Sequence, residues 1–204
     1  MLIRIAGVED AQAINRIFSH YIRHSLATFN EFPRTDAQRA EEIAGLLASY
    51  PYLAAQDESG ELMGFACAEP VRAQSGYRYC VELTIYLSPC APKRCGVGSA
   101  LYGSLLPMLR AQGYCVAYAV ISGVNGESLR FHERMGFSFL ARFEKSGYKN
   151  GQWLDTVWMQ KDLAPRRDRM PPPVPFALFR QKMPCHAWEP GSLAWRGTDE
   201  AQSP

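Results

Sequence analysis

A glycine-rich turn gives the first indication of chemistry in this 204-residue chain. A strand pattern leads into residues 93–99, where Gly96 and Gly98 are separated by a single residue, and a helix pattern begins at once. Glycines let the backbone approach a ligand closely, and the first N–H groups of a helix point at that ligand with the positive end of the helix dipole. The turn therefore suits a pyrophosphate, although glycines at this spacing also form ordinary turns.

Other phosphate and metal motifs do not fit this sequence. The turn lacks the Gly-Lys-Ser/Thr of a P-loop and the third glycine of a dinucleotide-binding fingerprint. The six cysteines form no Cys-x-x-Cys pair and have no matching histidine pair, so the sequence predicts neither a zinc site nor a disulfide framework. We expect an anion-binding turn without a metal ion.

The elements that must position this turn alternate between the strand and helix periods and predict an α+β domain. The predicted strands cover residues 2–5, 52–56, 62–68, 79–87, 115–121, 137–148 and 152–161. Predicted helices begin near residue 8, at Asp36 as an N-cap, after Gly98 and at Asn125, and Gly113 is expected to end the third. The turn at residues 57–60 predicts a hairpin between the second and third strands.

Composition divides the chain into two parts. Residues 165–204 contain eight of the 14 prolines and six basic against four acidic residues, which leaves 16 of each sign in residues 1–164. A segment so poor in apolar residues does not bury enough surface to offset its ordering entropy. We expect a folded domain over residues 1–163 and a proline-rich tail over residues 164–204, disordered or draped on the surface, with Trp188 and Trp195 as candidates for an interface.

Charge and hydropathy exclude several classes of partner. A net charge of +2 gives no electrostatic case for nucleic acid. No apolar run approaches the roughly 18 residues of a membrane span, and the first residues lack the apolar stretch of a signal peptide. The sequence therefore predicts a cytoplasmic protein with no membrane partner.

The order of motifs resembles that of the GCN5-related N-acetyltransferases (GNAT), and within them the phosphinothricin and methionine sulfoximine acetyltransferases. The glycine turn is followed by a helix and a strand, and then by a second helix over residues 125–137, which begins with Asn-Gly-Glu-Ser and ends with Met-Gly-Phe. Supporting segments are residues 72–79, 81–89 and 147–155. The resemblance covers nearly all of residues 1–163 and implies the GNAT fold, a mixed central sheet with a splayed strand pair flanked by helices.

The same resemblance implies an activity. Family members transfer an acetyl group from acetyl-CoA to a primary amine by direct attack in a ternary complex, without a metal. We therefore expect acetylation of the α-amino group of a small amino acid or analogue, by a homodimer. Two alternatives stay open: a non-catalytic acyl-CoA-binding or regulatory module, and an acetyltransferase for another amine such as a protein N-terminus.

The resemblance also implies which residues bind the cofactor, from their positions in the matching motifs. In the family, backbone groups of the splayed strand hold the pantetheine amides, the glycine turn wraps the pyrophosphate, and an asparagine at the start of the next helix contacts the cofactor. The positions that match are Ile85, Tyr86, Leu87, Lys93, Arg94, Cys95, Gly96, Val97, Gly98, Ser99, Asn125 and Ser128.

Two residues are candidates for proton transfer. The amine attacks only as the free base, so a carboxylate near the thioester is a natural proton acceptor, and Glu82 matches the family's glutamate. His132 stands where many acetyltransferases have a tyrosine that protonates the departing thiolate. A histidine suits donation or acceptance, so it also rivals Glu82 as the base.

Substrate selection is expected on two loops and on the strand that carries Glu82. Arg72 suits a substrate carboxylate because its guanidinium can bind two oxygens at once. The full set of expected substrate-binding residues is Phe29, Arg72, Ala73, Gln74, Tyr77, Glu82, Leu83 and Thr84.

Overall fold

A computed structural model describes residues 1–182 of the chain. Its seven strands are β1 Leu2–Ile5, β2 Tyr52–Gln56, β3 Leu62–Pro70, β4 Cys80–Leu87, β5 Val116–Ser122, β6 Ser138–Lys149 and β7 Gln152–Asp162. Its five α-helices are α1 Ala11–His24, α2 Asp36–Leu47, α3 Val97–Gln112, α4 Gly126–Arg134 and α5 Phe176–Gln181. Helices and strands are both present, and several strands follow one another directly, which confirms the α+β prediction.

All seven strands form one mixed sheet in the order β1-β2-β3-β4-β5-β7-β6. Every neighbouring pair is antiparallel except β4 and β5, which are parallel. Their pairing covers only three positions and ends at Glu82 opposite Tyr118, although β4 continues to Leu87 and β5 to Ser122. The two strands therefore separate beyond Glu82, as the predicted splayed pair requires.

The two faces of the sheet pack against different helices. Val81 and Leu83 of β4 lie in the larger core with Leu101 and Leu105 of α3. The opposite face packs on α1 and α2 through a second core, which contains Phe65. Side chains alternate along a strand, so the even-numbered residues of β4, which include Glu82, point to the α1 and α2 face.

Local sequence signals set the helix ends. Thr35, rather than Asp36, is the N-cap of α2, because its side chain accepts the backbone N–H of Gln38 while Gln38 bonds back to Thr35 in a capping box. Gly113 ends α3 in a left-handed conformation with φ of 104°, as predicted. Asn125 precedes α4 and caps it.

Part of the proline-rich segment packs on the domain. Phe176 is 1% exposed and belongs to the α3-side core. Val174 N–H donates to the Gln112 carbonyl at 2.8 Å, and the Tyr79 hydroxyl donates to the Met170 carbonyl at 2.8 Å. Residues 164–182 thus share the core of residues 1–163. The two tryptophans suggested as interface residues lie outside the described residues.

Within residues 1–182, no helix combines the length and the apolar composition that crossing a membrane requires.

Candidate active site

A cleft opens where β4 and β5 separate. Its cavity volume is about 70 Å³, and it lies between the two strands and the start of α4. Its walls include both residues predicted for proton transfer and both predicted on α4. The lining residues are Ala27, Glu82, Leu83, Thr84, Ile85, Tyr86, Ala119, Val120, Ile121, Asn125, Ser128 and His132.

The start of α3 has unused hydrogen-bond donors. Gly96 adopts φ of 82°, and its carbonyl accepts the first helical bond, from Ala100 at 2.9 Å. The N–H groups of Val97, Gly98 and Ser99 precede that bond, and no side chain of the described residues caps the helix. Three aligned donors at the positive end of a 16-residue helix form a suitable anion cradle.

Both glycines of this turn suit their positions. The left-handed φ of Gly96 is one that a side chain disfavours. A Cβ on Gly98 would lie 3.0 Å from the Phe131 ring, so a larger residue there requires the ring to shift away from α3.

The residues that lead into the turn are on the surface. Lys93, Arg94 and Cys95 are exposed, and Arg94 has a positive φ of 60°. The Cys95 thiol donates to the Pro92 carbonyl at 2.8 Å, so the thiol serves the turn's own conformation. The two cationic side chains remain available for phosphate charge.

Backbone groups of β4 face the gap at alternate residues. The Ser88 N–H donates to the Met63 carbonyl, which fixes the hydrogen-bonding register of the antiparallel β3–β4 pair. In that register Tyr86 exchanges its backbone bonds with β3, whereas Ile85 and Leu87 point theirs to the separated side. The prediction that Ile85, Tyr86 and Leu87 all offer free backbone groups therefore does not hold for Tyr86. In an antiparallel pair, every second residue bonds to the neighbouring strand, and Tyr86 is one of these residues.

Tyr21 was not anticipated at this edge. Its hydroxyl donates to the Leu87 carbonyl at 2.9 Å and occupies one of the groups that face the gap. The Tyr86 ring lies beside the Tyr21 ring, with centroids 5.0 Å apart, and burial raises the pKa of Tyr86 to about 12. Both phenols therefore stay protonated at neutral pH.

Glu82 lies on the cleft wall opposite another carboxylate. The β3–β4 register places Glu69 directly across from it. Burial raises the pKa of Glu82 to about 7, the Glu69 charge adds to the increase, and the Arg72 guanidinium opposes it. The Thr84 hydroxyl donates to Glu69 Oε1 at 3.2 Å. Within the described part of the chain, the Glu82 carboxylate accepts no hydrogen bond.

The expected substrate residues fall into three places. Glu82, Leu83 and Thr84 line the cleft, as predicted for a strand that carries both base and pocket. Residues 72–77 form an exposed connection between β3 and β4 and do not line it, although the charge of Arg72 reaches Glu82. Phe29 packs on the β6–β7 hairpin, where a Cβ on Gly147 would overlap its ring at 2.1 Å.

The loop that carries Phe29 is held by a buried lysine. Lys149 is 1% exposed, and its Nζ donates to the Thr28 carbonyl at 2.8 Å. Burial lowers the pKa of Lys149, while the charge of Glu31 opposes that decrease. The end of the β6–β7 hairpin thus fixes the loop between α1 and α2.

His132 is the most enclosed of the predicted residues. It is 2% exposed, and both ring nitrogens have protein partners. Because a carbonyl only accepts, Nδ1 carries the proton and donates to the Ser128 carbonyl at 2.8 Å, and Nε2 accepts the Tyr102 hydroxyl at 2.9 Å. Burial lowers the pKa of His132, so the ring is neutral at pH 7.

Asn125 and Ser128 form the mouth of the cleft at α4. Asn125 Oδ1 accepts the Ser128 N–H at 3.2 Å, which completes an N-cap and leaves the Asn125 amide N–H groups for another acceptor. The Ser128 hydroxyl lies 3.3 Å from His132 Nδ1. Both residues are half-buried beside the gap.

Besides Tyr21, three contributors at the site were not predicted from the sequence. Glu69 was overlooked because its position depends on the β3–β4 register, which no short turn fixes. Tyr102 lies 30 residues from its partner His132, and helical spacing alone marks it as a core residue. Lys149 lies in a segment already quoted for the resemblance, but nothing in the sequence shows that its ammonium group is buried.

Known proteins resemble this chain over most of its length. A family model described as an acetyltransferase (GNAT) domain matches residues 3–158. A phosphinothricin N-acetyltransferase of Streptomyces viridochromogenes is 37% identical over 160 residues, 78% of this chain and 86% of the relative. An L-methionine sulfoximine/L-methionine sulfone acetyltransferase of Pseudomonas paraeruginosa is 35% identical over 166 residues, 81% of this chain and 96% of the relative.

Solved structures agree with these relatives. A phosphinothricin acetyltransferase from Sinorhizobium meliloti in complex with AcCoA has a TM-score of 0.79 at 34% identity, over 87% of this chain and 97% of that one. A putative acetyltransferase from Salmonella typhimurium with its cofactor acetyl-CoA has a TM-score of 0.78 at 31% identity, over 83% and 98%. This chain therefore belongs to the GNAT family, whose members are acetyl-CoA-dependent N-acetyltransferases.

Proposed function

We propose that this chain acetylates the α-amino group of a small amino acid or analogue of the phosphinothricin or methionine sulfoximine type, by direct transfer in a ternary complex. The observation that carries the proposal is the position of Glu82 on the wall of the cleft, where the strands separate and where its carboxylate accepts no hydrogen bond from residues 1–182. The names of the most similar relatives supply the substrate class.

The residues present fit acetyl-CoA. The free N–H groups of Val97, Gly98 and Ser99 suit its pyrophosphate, and the unpaired edge of β4 suits its pantetheine amides. Lys93 and Arg94 add positive charge beside the phosphates. When bound, acetyl-CoA supplies a thioester carbonyl that an amine can attack.

Glu82 accepts the proton of the substrate ammonium, directly or through one water, so that the nitrogen lone pair becomes available. A base works best when its pKa lies near the working pH, and the pKa of Glu82 is about 7. Its burial and the facing Glu69 are the physical causes of that match. Arg72 does not line the cleft, but its charge acts on Glu82, and its guanidinium is suited to hold the substrate carboxylate.

The proposed role of His132 in protonating the departing thiolate rests on its place in the cleft wall. Both ring nitrogens are already bonded within the fold, so donation to a thiolate requires a new partner for Nδ1. A positioning role for His132, joining α3 to α4 through Tyr102, fits this geometry better. The proposed mechanism therefore assigns the role of base to Glu82.

A thiol-release assay with acetyl-CoA tests the activity. Phosphinothricin, methionine sulfoximine, methionine sulfone, ordinary amino acids and short peptides serve as acceptors, and mass spectrometry locates the acetyl group. We expect turnover of the amino-acid analogues with the label on the α-nitrogen. Binding of acetyl-CoA without turnover of any acceptor would favour the non-catalytic module, and turnover of peptides alone would favour N-terminal acetylation.

We also propose a homodimer that uses the outer side of the β6–β7 hairpin. β6 is the last strand of the sheet and carries Phe139 and Phe143, 65% and 51% exposed, while Trp153 of β7 is 61% exposed. Exposed aromatic side chains on an edge strand suit an interface, and most soluble oligomers join copies of one chain. Light scattering should show a dimer of the wild type, and Phe143→Glu should dissociate it. Leu178→Glu, at an exposed site on α5, is the control and should leave the dimer intact. A monomeric wild type would contradict the proposal.

A cytoplasmic location is part of the proposal. The five described cysteines, Cys67, Cys80, Cys90, Cys95 and Cys115, are free thiols, as a reducing compartment favours. Acetyl-CoA is also an intracellular metabolite. Fractionation of the producing cells would test this location.

A further inference from the structure

We propose that Glu69 determines specificity in the amine site, so that the site favours amino acids with an uncharged side chain over those with an anionic one. This inference rests on the proposed function. It concerns a residue on β3, outside the motifs quoted for the resemblance.

The geometry places Glu69 at the edge of the site, beside two residues that line the cleft. Glu69 lies directly opposite Glu82 in the β3–β4 register, so both side chains leave the sheet on the same face. The Thr84 hydroxyl holds Glu69 Oε1 at 3.2 Å. Thr84 and Glu82 both line the cleft, and Glu69 is anchored to one and faces the other.

The charges around the pair leave an excess of negative charge. Arg72 is the cation whose charge acts on Glu82, and it forms no ion pair with the described residues. Among the described residues, the charges that act on Glu82 are those of Glu69 and Arg72. Arg39 lies outside this group and pairs with Glu42, which also pairs with Arg34. When Glu82 and Glu69 are both ionised, the two carboxylates carry one more negative charge than Arg72 balances.

This balance distinguishes the two classes of expected acceptor. The ammonium group of any amino acid is attracted to the two carboxylates, and its α-carboxylate suits Arg72. Phosphinothricin ends in a phosphinate, which is anionic at neutral pH, whereas methionine sulfone and methionine sulfoximine end in uncharged polar groups. An additional anion in a partly desolvated pocket is repelled by Glu69, because Coulomb interactions strengthen as water is excluded.

Steady-state kinetics with two acceptors tests the inference. We expect wild type to use methionine sulfone at least tenfold better than phosphinothricin, measured as kcat/KM. Glu69→Gln should reduce that ratio about fivefold or more, mainly through the KM of phosphinothricin. Glu69→Asp, which keeps the charge, should retain most of the preference, and Glu58→Gln, at the exposed β2–β3 turn, should leave it unchanged.

Ionic strength provides a second readout that needs no variant. Salt screens charges. Raising the ionic strength from about 0.05 to 0.5 M should therefore lower the wild-type ratio of kcat/KM for methionine sulfone to kcat/KM for phosphinothricin. A ratio that Glu69→Gln leaves within twofold of wild type, or a wild type that prefers phosphinothricin, overturns the inference while the proposed function stands. If wild type turns over neither acceptor, the proposed function fails, and the inference fails with it.

Discussion

The two walls of the cleft carry one titratable residue each, and the two are held in different ways. On the β4 wall, Glu82 is half-buried, faces Glu69 and accepts no hydrogen bond from the described residues. On the α4 wall, His132 is fully buried and has both nitrogens bonded. Burial shifts the pKa of both groups, upwards for Glu82 and downwards for His132. A shifted pKa therefore identifies a reactive group only when an atom of that group is free to meet the substrate.

Of the changes to the two walls, replacing Glu82 should have the largest effect on kcat. Glu82→Gln keeps the shape of the side chain and removes the proton acceptor, so kcat should fall by about 10²-fold to 10⁴-fold. The dissociation constant of acetyl-CoA should not change, as measured by calorimetry. Glu133→Gln, at an exposed position on α4, is the matched control. A loss of less than tenfold would remove Glu82 from the role of base.

Replacing His132 should damage the fold more than the chemistry. His132→Phe keeps a ring but leaves the buried Tyr102 hydroxyl without its acceptor, which costs about 1–3 kcal/mol of unfolding free energy. A protein of this size should then lose several degrees in Tm, while kcat falls less than tenfold. His24→Phe, at the exposed end of α1, is the control. A hundredfold fall in kcat with an unchanged Tm would restore the role of proton donor.

The effect of Glu82 on the stability of the folded protein should depend on pH. The pKa of Glu82 is about 7 in the folded protein and about 4.5 when unfolded, so the ionised carboxylate destabilises the fold. Glu82→Gln should therefore have a Tm above wild type at pH 8, and this difference should shrink towards zero as pH falls from 7 to below 4.5. Scanning calorimetry at four pH values would measure it, and a Tm difference independent of pH would contradict the assigned burial.

Replacing Asn125 should have the smallest effect, because this residue both caps α4 and is proposed to contact the cofactor. Asn125→Ala removes the cap on the Ser128 N–H and should cost about 1 kcal/mol. Asn125→Asp keeps the cap but replaces the amide N–H groups by a charged oxygen, so it should leave Tm near wild type and weaken acetyl-CoA binding several-fold. Equal binding by Asn125→Asp and wild type would limit Asn125 to capping.

Elements with local signals were predictable from sequence. The glycine turn, the β2–β3 hairpin and the end of α3 at Gly113 depend on glycine φ angles and short-range spacing, and the structure confirms all three. The separation of β4 from β5 followed from the family resemblance. Periodicity alone gave no sign of it, because both strands keep their strand pattern beyond the last paired residue.

Features that depend on long-range packing were beyond the sequence. The Glu69–Glu82 pair requires the register of two strands joined by an irregular connection, and the Tyr102–His132 bond requires the packing of α3 on α4. Phe176 is a further case. The composition of residues 165–204 is too polar overall for a core, yet Phe176 is buried against α3-side residues and Phe179 packs beside it.

The pH dependence of kcat/KM tests the central claim, that Glu82 is the base, most directly. With methionine sulfone between pH 5 and 9, wild type should lose activity tenfold per unit below an apparent pKa near 7, because a protonated Glu82 accepts no proton. Glu82→Gln should lack this limb. A wild-type profile that stays flat to pH 5.5, or the same limb in Glu82→Gln, would contradict the account and assign the ionisation to another group.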